Sequence, residues 1–382
     1  MTWQVKAVQG IAEIGPEVWD PFAEQEGVPR DPFLSYAFLN ALEASGSVSS
    51  ETGWMPYHLV LEDDQANPLG LMPLYVKGHS QGEYIFDYSW ADALERAGGR
   101  YYPKLLSAVP FTPVTGRRVL TSDARYEGAL VAGAAQMAEE LNISSVHLNF
   151  LDETAWRRRG DEGWLLRTHK QYHWQNEGFG SFEEFLSYLS SKKRKNIKRE
   201  RKLSVAGGVT IECLTGRDIL ESHWDAFYRF YTDTSSRKWG SAYLNRAFFS
   251  LIGETMADSI LLVMCRREGR YVAGAINFIG GDCLFGRNWG CIEDHPFLHF
   301  EVCYYQAIEF AITHGLNRVE AGAQGEHKLA RGYLPSQTYS AHWIVHEGFR
   351  EAVGRYLDQE RGHIAEEIDY LEQFSPFKAR SS

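Results

Sequence analysis

An internal repeat is the feature of this sequence that most limits how the chain can fold. The segment Val18–Phe22 shares Trp, Asp and Phe with His223–Phe227, which lies about 205 residues further along. Leu59–Asp64 aligns with Val263–Glu268 at nearly the same spacing. Because collinear matches at one spacing indicate a tandem duplication, the chain is predicted to contain two copies of one α+β unit.

Length and composition fit a two-domain cytoplasmic protein. The 382 residues are two to three times the usual length of one domain. Five cysteines form no CxxC pair, the N-terminus has no basic-then-apolar leader, and the apolar runs are too short for a membrane span. The net charge of −11 argues against a general role in coating nucleic acids, since their phosphates would be repelled.

The second copy has the clearer pattern of elements. Ser181 and Glu184 form a capping box that begins a short helix. Three strands at hairpin spacing, a helix and a short strand are predicted at residues 259–265, 271–279, 283–291, 298–313 and 318–321. The first copy repeats this order less clearly, so the predicted fold class is mixed α+β, with domains at residues 1–178 and 179–382.

The segment Lys192–Lys202 departs most strongly from the acidic composition. It holds eight cationic residues and one acidic residue in eleven positions. One interpretation is a solvated helix face. The other is a site for an anion such as phosphate, pyrophosphate or an RNA backbone.

Two polar clusters in the second copy are candidates for chemistry. The first lies between a strand and a helix and contains Arg287, Glu293, His295, His299 and Glu301. Its two histidines are separated by Pro296 and lack a further ligand, so acid–base chemistry is favoured over a metal site. The second cluster, Glu320–Arg331, follows a strand and combines small residues with His327, Lys328 and Arg331, which suit an anionic ligand.

The first copy contributes an aromatic and basic loop, and no cysteine of the chain is recognisable as a covalent nucleophile. Tyr101–Lys104 and Pro110–Arg118 are interpreted either as a wall of a substrate channel or as a surface crossing. None of the five cysteines lies in a Cys/His signature of a nucleophilic enzyme. This pattern favours direct attack by a bound nucleophile on an activated donor.

The order of elements resembles the GNAT acyltransferase unit, and its duplication resembles the Fem-type enzymes that add amino acids to peptidoglycan precursors. The segments Lys192–Ile197, Asn288–Gly290, Glu293–Glu301 and Ala321–Gly332 are similar to a bacterial family of FemAB-like N-acyltransferases, as are Tyr102–Lys104 and Pro110–Pro113. The resemblance covers nearly the whole chain. One departure concerns the donor, because neither copy shows, at the expected place before the helix that follows the strands, the [RQ]-x-x-G-x-[GA] loop that holds the pyrophosphate of acetyl-CoA.

The resemblance implies an N-acyltransferase that acts on an amine, such as that of a peptidoglycan precursor, with acyl-CoA, an acyl carrier or aminoacyl-tRNA as donor. A proton acceptor is expected among Glu301, His299, Glu320 and His327, with Glu320 and His327 preferred. Donor or acceptor is expected to contact Lys104, Lys192, Lys193, Arg194, Lys198, Arg287, Trp289, Lys328 and Arg331. Two alternatives remain open: a non-catalytic module that binds a cell-wall fragment, and an RNA-binding protein that uses the basic segment.

Overall fold

The computed structural model describes residues 2–239, 242–322 and 325–378. The chain divides into two compact units. The first comprises Met1–His169 and Gln337–Glu366, and the second comprises Lys170–Ser336 and Glu367–Ser382. Because the segment Gln337–Glu366 belongs to the first unit, a single boundary at residue 178 does not describe this division completely. The domain division at that residue stays a prediction.

Strands and helices alternate along the N-terminal part of the chain. The strands are β1 (Trp3–Val8), β2 (Trp54–Pro56), β3 (His58–Asp63), β4 (Pro68–Met72), β5 (Tyr75–Lys77), β6 (Lys104–Ser107), β7 (Ser145–Leu151) and β8 (Leu165–Gln175). The helices are α1 (Pro16–Ala23), α2 (Tyr36–Ala44), α3 (Tyr88–Arg96), α4 (Ala124–Glu140) and α5 (Glu153–Asp161).

The remaining helices and strands complete the chain. The helices are α6 (Phe182–Tyr188), α7 (Ser191–Ser204), α8 (Glu221–Trp239), α9 (Arg246–Thr255), α10 (Leu298–Phe300), α11 (Gln306–Thr313) and α12 (Glu347–Glu372). The strands are β9 (Thr210–Thr215), β10 (Ile260–Arg267), β11 (Arg270–Ile279), β12 (Cys283–Cys291), β13 (Arg318–Glu320) and β14 (Leu334–Ile344). A π-helical turn, Glu301–Tyr305, joins α10 to α11. None of the described helices is long and apolar enough to cross a membrane.

The first unit contains one parallel strand pair among antiparallel ones. Strands β1, β3 and β4 form an antiparallel sheet, and β2, β5, β6, β7 and β14 are neighbours in a second sheet. Strands β6 and β7 run parallel, and α4 provides the crossover between them. Leu130 and Val131 of α4 pack with Leu105 and Val146 in a buried cluster, so burial of apolar side chains fixes the helix against the strands.

The second unit repeats this arrangement around its own core. Its strand order is β8-β13-β12-β11-β10-β9, and β12 and β13 form its parallel pair, with the α10–α11 segment as the crossover. Val263, Ala275 and Val319 of the sheet belong to one core with Tyr305 and Ile308 of the crossover. Because strands β9, β10 and β11 match the antiparallel order of β1, β3 and β4, the topology supports the predicted tandem repeat.

Local sequence signals predict the ends of these elements to within a few residues. The Ser181 hydroxyl accepts a hydrogen bond from the Glu184 amide, as a capping box requires, whereas the Glu184 carboxylate accepts from the Gly180 amide. The helix expected at residues 298–313 is present, but the π turn interrupts it. Such turns insert an extra residue into the helical spacing and are frequent at functional sites.

Candidate functional site

A β-bulge in the second unit opens a small cavity. Ile276 pairs with Asn288, but Asn277 pairs with Gly286, so Arg287 is the extra residue on β12. Bulges change the direction of side chains and are common beside active sites. The cavity has a volume of about 80 Å³ and is lined by Ala275, Ile276, Asn277, Gly286, Arg287, Asn288, Trp289, His299, Cys303, Tyr304 and Ala321. Since a liquid water occupies ~30 Å³, the space fits a group of a few heavy atoms.

Asn277 gives this cavity an available hydrogen-bond acceptor. Its side chain is 1% exposed, and Nδ2 donates to the Leu261 carbonyl over 3.2 Å. Within the described part of the chain, Oδ1 has no hydrogen-bond partner. A Cβ at Gly286 would lie 3.2 Å from that oxygen, so glycine keeps it accessible. A buried acceptor without a partner costs roughly 1–3 kcal/mol, and this cost favours a ligand that donates an N–H or O–H group.

The helical wall of the cavity carries a hydrogen-bonded tyrosine–histidine pair. Tyr304 lies in the π turn, and its hydroxyl is 2.8 Å from Nε2 of His327. Burial raises the pKa of Tyr304, so its hydroxyl stays protonated. Partial burial and the nearby charges of Arg331 and Lys328 lower the pKa of His327, which favours a neutral imidazole.

Glu320 ends β13, next to cavity-lining Ala321. It is 4% exposed, and its Oε1 lies 3.0 Å from Nε of Arg318. Burial raises the pKa of Glu320 to about 7, although the charges of Arg318 and Arg287 oppose this shift. Oε2 lies 3.9 Å from Nε2 of His173 and forms no hydrogen bond to another described residue. Glu320 therefore exchanges protons near neutral pH.

Lys328 is a second buried group that titrates near neutral pH. It is 1% exposed, and Nζ donates to the Gly322 carbonyl over 2.7 Å. Its pKa is lowered to about 7, mainly by burial; Cys303 opposes this shift, and the charge of Arg287 acts in the same direction as burial. Ala323 and Gln324, which belong to the same predicted loop, lie outside the described residues.

Two further candidates from the sequence, Glu301 and Arg331, form ion pairs with residues of α7. Glu301 accepts three hydrogen bonds from the guanidinium group of Arg201 and a fourth from the side-chain amide of Gln306. Arg331 donates to Glu200 at 3.0 Å and lies 3.5 Å from the ring centre of Phe300. These contacts favour anchoring roles, and the proton-transfer role of Glu301 and the ligand contact of Arg331 stay predictions.

The opposite side of α7 presents its positive charges to solvent. Ile197 is buried, and Glu200 and Arg201 lie on the same anchored side at helical spacing. The exposed basic residues of α7 are Lys192, Lys195, Lys198, Arg199 and Lys202, while Lys193 and Arg194 are half-buried. Lys198 pairs with Glu183 at 2.7 Å, whereas no ion pair joins Lys192, Lys193 or Arg194 to another residue that the structure describes.

Lys104 lies in the first unit, inside a network of buried charges. Its ammonium group donates to Glu83 and Ser80 at 2.8 Å and also to Asp87, and its side chain has no exposed surface. Burial opposes its charge, but the two carboxylates outweigh burial and raise the pKa of Lys104. Lys77 lies in the same network, where burial lowers its pKa to about 7. The environment of Lys104 favours a structural ion pair over the predicted contact with substrate.

The structure thus brings together one part of the predicted site. Arg287, Trp289 and His299 line the cavity, where the rings of Trp289 and His299 are 5.4 Å apart. His327 contacts the cavity wall through Tyr304, Glu320 directly precedes the lining residue Ala321, and Lys328 is close enough to the lining residue Arg287 for their charges to interact. Sequence reasoning missed Asn277 and Tyr304, although Asn277 is a lone amide in the apolar strand 271–279. No group of metal-binding side chains is found among residues 2–239, 242–322 and 325–378.

Comparison with known proteins identifies a matching family model and solved structures of similar fold. A family model named FemAB-like, for peptidoglycan biosynthesis/recognition, matches residues 10–379. The crystal structure of FemX matches with a TM-score of 0.56 and 11% identity, over 93% of this chain and 100% of that chain. The C-terminal domain of a protein described as a lysylphosphatidylglycerol synthetase from Agrobacterium fabrum matches with a TM-score of 0.53 and 10% identity, over 92% of this chain and 97% of that chain. No curated protein matches. The likeness concerns the fold, and it confirms the predicted mixed α+β class.

Proposed function

The chain belongs to the FemAB-like family, and on that premise we propose that it is an N-acyltransferase, which transfers an acyl or aminoacyl group from an activated donor to an amine. The observation that carries the proposal is the cavity in which the free Oδ1 of Asn277 and the Tyr304–His327 pair occur together. An amine needs an acceptor for an N–H group that orients it and a second acceptor for the proton that it loses. The cavity offers both.

The reaction assigned to this cavity is attack by the neutral amine on the carbonyl carbon of a thioester or ester. The new C–N bond forms, the C–S or C–O bond of the donor breaks, and the leaving thiolate or alkoxide is released as a thiol or alcohol after it takes up the proton that the Tyr304–His327 pair received from the amine. The amine proton passes to the Tyr304 oxygen as the tyrosine proton passes to Nε2 of His327, which accepts in the tautomer protonated at Nδ1. Arg287 supplies a permanent positive charge at the cavity, where negative charge develops on the carbonyl oxygen.

Glu320 is the alternative proton acceptor. Its pKa of about 7 leaves a substantial fraction ionised at neutral pH, and its free Oε2 retains hydrogen-bonding capacity. It does not line the cavity directly, whereas Tyr304 does. His327 is therefore the preferred proton acceptor, and Glu320 is the alternative.

The donor is proposed to be rich in phosphate. The exposed basic side of α7 attracts polyanions, and α7 is fixed to the site because Glu200 binds Arg331 and Arg201 binds Glu301. Aminoacyl-tRNA and acyl-CoA both carry phosphates and an activated carbonyl. The family description supports a peptidoglycan-precursor amine as acceptor.

The test is a product assay with both donor classes. Purified full-length protein is incubated with labelled acyl-CoA or labelled aminoacyl-tRNA and with amine-bearing peptidoglycan precursors, and mass spectrometry is used to detect a new amide. An amide formed by the wild type and lost in the Tyr304→Phe variant supports the proposal. Binding of a precursor without any amide from either donor would favour the binding module. Salt-sensitive RNA binding alone would favour the RNA-binding protein.

A further inference from the structure

The first unit contains a cavity with an unusual concentration of arginine. Its volume is about 230 Å³, and it lies among the loop before α4, the end of β7 and helix α5. Four guanidinium groups line it, those of Arg117, Arg118, Arg158 and Arg159. Two carboxylates, those of Glu127 and Asp152, also belong to the lining, so positive charge is in excess.

Arg159 is the residue that indicates a missing partner. Its side chain is 1% exposed, and Nη2 lies 3.1 Å from Glu127 and 3.0 Å from Glu162. Its Nε and Nη1 are buried and have no hydrogen-bond partner among the residues that the structure describes. A buried donor without an acceptor destabilises the folded protein, so it favours the binding of a group that accepts a hydrogen bond. The Nε–H bond and the Nη1 hydrogens point to different edges of the planar guanidinium, so these two donors suit separate acceptor atoms, and an oxyanion can supply such an acceptor.

The neighbouring arginines fit the same ligand. Arg158 lines the cavity, is partly exposed and pairs with Glu127, so a ligand at the mouth of the cavity can reach its guanidinium. Arg118 is fully buried and donates to the carbonyls of Asn149 and Val114, which fixes its positive charge in the wall. The volume is below the ~300–1,000 Å³ of pockets for drug-sized ligands. It therefore suits an anionic group better than a whole nucleotide.

We propose that this cavity of the first unit is a binding site for the phosphoryl group of a small molecule, with Arg158 and Arg159 as the direct ligands. The site is separate from the residues of the proposed transfer reaction, and it extends that proposal rather than resting on it. Glu127 competes with the ligand for both arginines in the unoccupied protein. Removal of its charge should therefore strengthen anion binding.

The test is calorimetric titration of the full chain with inorganic phosphate, pyrophosphate and acetate at constant ionic strength. Wild-type protein is expected to bind phosphate or pyrophosphate saturably and acetate weakly. Arg158→Met should weaken this binding by roughly 10-fold or more, and Glu127→Gln should tighten it. Arg157→Met is the matched control, because Arg157 lies on the same helix, is exposed and pairs with Glu153 outside the lining.

Three results would overturn the proposal. The first is the absence of phosphate and pyrophosphate binding at millimolar concentrations. The second is binding of acetate with the same affinity as phosphate. The third is an affinity for phosphate that is the same in the wild type, in Arg158→Met and in Glu127→Gln. Arg159→Met is informative if it folds. The other two variants keep the test decisive if it does not fold.

Discussion

The hydroxyl of Tyr304 lies 2.8 Å from Nε2 of His327, which connects a cavity wall of the second unit to the turn after β13. Burial keeps the tyrosine protonated, and the lowered pKa of His327 keeps its imidazole neutral. The pair therefore combines a proton that can move with an acceptor in the correct state. This relationship is the basis of the proposed transfer reaction.

Removal of either member of the pair should slow amide formation. Positioned acid–base groups contribute roughly 10²–10⁴-fold to rate, so Tyr304→Phe and His327→Ala should each lower kcat by an amount in this range. The double variant should lose little more, because the two residues act as one unit. His314→Ala is the control, since His314 stacks on Phe310 beyond the site. Single-turnover rates provide the measurement, and additive losses would contradict the relay.

Glu320 should make the stability of the protein depend on pH. Its pKa is raised from 4.5 to about 7, so between these values the folded state binds more protons than the unfolded state. Stability therefore falls as pH rises through this range. The free energy of unfolding of the wild type, relative to Glu320→Gln, should decrease from pH 4.5 to pH 7 and then level off. Urea titrations at several pH values measure it, and a difference that increases with pH would show that the ion pair with Arg318 dominates.

Lys104 should contribute to stability rather than to ligand binding. Lys104→Met leaves the buried carboxylates of Glu83 and Asp87 without their main partner. Breaking such a pair typically costs roughly 3–5 kcal/mol. Lys198→Met removes an exposed pair and should cost about 1 kcal/mol or less. The two urea midpoints give the comparison. A stable Lys104→Met variant with weakened substrate affinity would restore the role predicted from the sequence.

The basic side of α7 should determine the salt dependence of donor binding. The double variant Lys192→Glu/Lys193→Glu should weaken aminoacyl-tRNA binding and lower the slope of log affinity against log salt by about one for each phosphate that these lysines neutralise in the wild type. Arg217→Glu/Arg270→Glu changes the net charge equally at exposed positions outside α7. Filter binding at several salt concentrations measures the slopes. Equal slopes for both double variants would indicate a general charge effect.

Much of the fold follows from local signals in the sequence. The turns at Arg267–Arg270 and Gly280–Asp282 separate three strand-like runs, and the structure forms β10, β11 and β12 there. These boundaries depend on turn residues and alternation within a few positions, so a single sequence contains them. The tandem repeat was visible for the same reason, because matching local patterns recur.

The site was less predictable because it depends on shifts of one residue and on distant partners. The bulge at Arg287 and the π turn at Glu301–Tyr305 each insert one residue, and apolar periodicity does not record such insertions. The pairing of Arg331 with Glu200 joins residues far apart in sequence, so a charged loop residue looked available for ligands. His327 is among the predicted candidates, whereas its partner Tyr304 is not, because a tyrosine within the predicted helix 298–313 carries no local signal of a functional role.

The most direct test of the proposed reaction is the pH dependence of amide formation. The ratio of kcat/KM between wild type and His327→Ala cancels titration of the acceptor amine itself. Because the pKa of His327 lies below its ordinary value of 6.5, this ratio should rise with pH at acidic values, with the midpoint of the rise below pH 6.5, and then level off. A ratio near one at every pH, or no amide from any donor, would contradict the assignment of His327 as the proton acceptor.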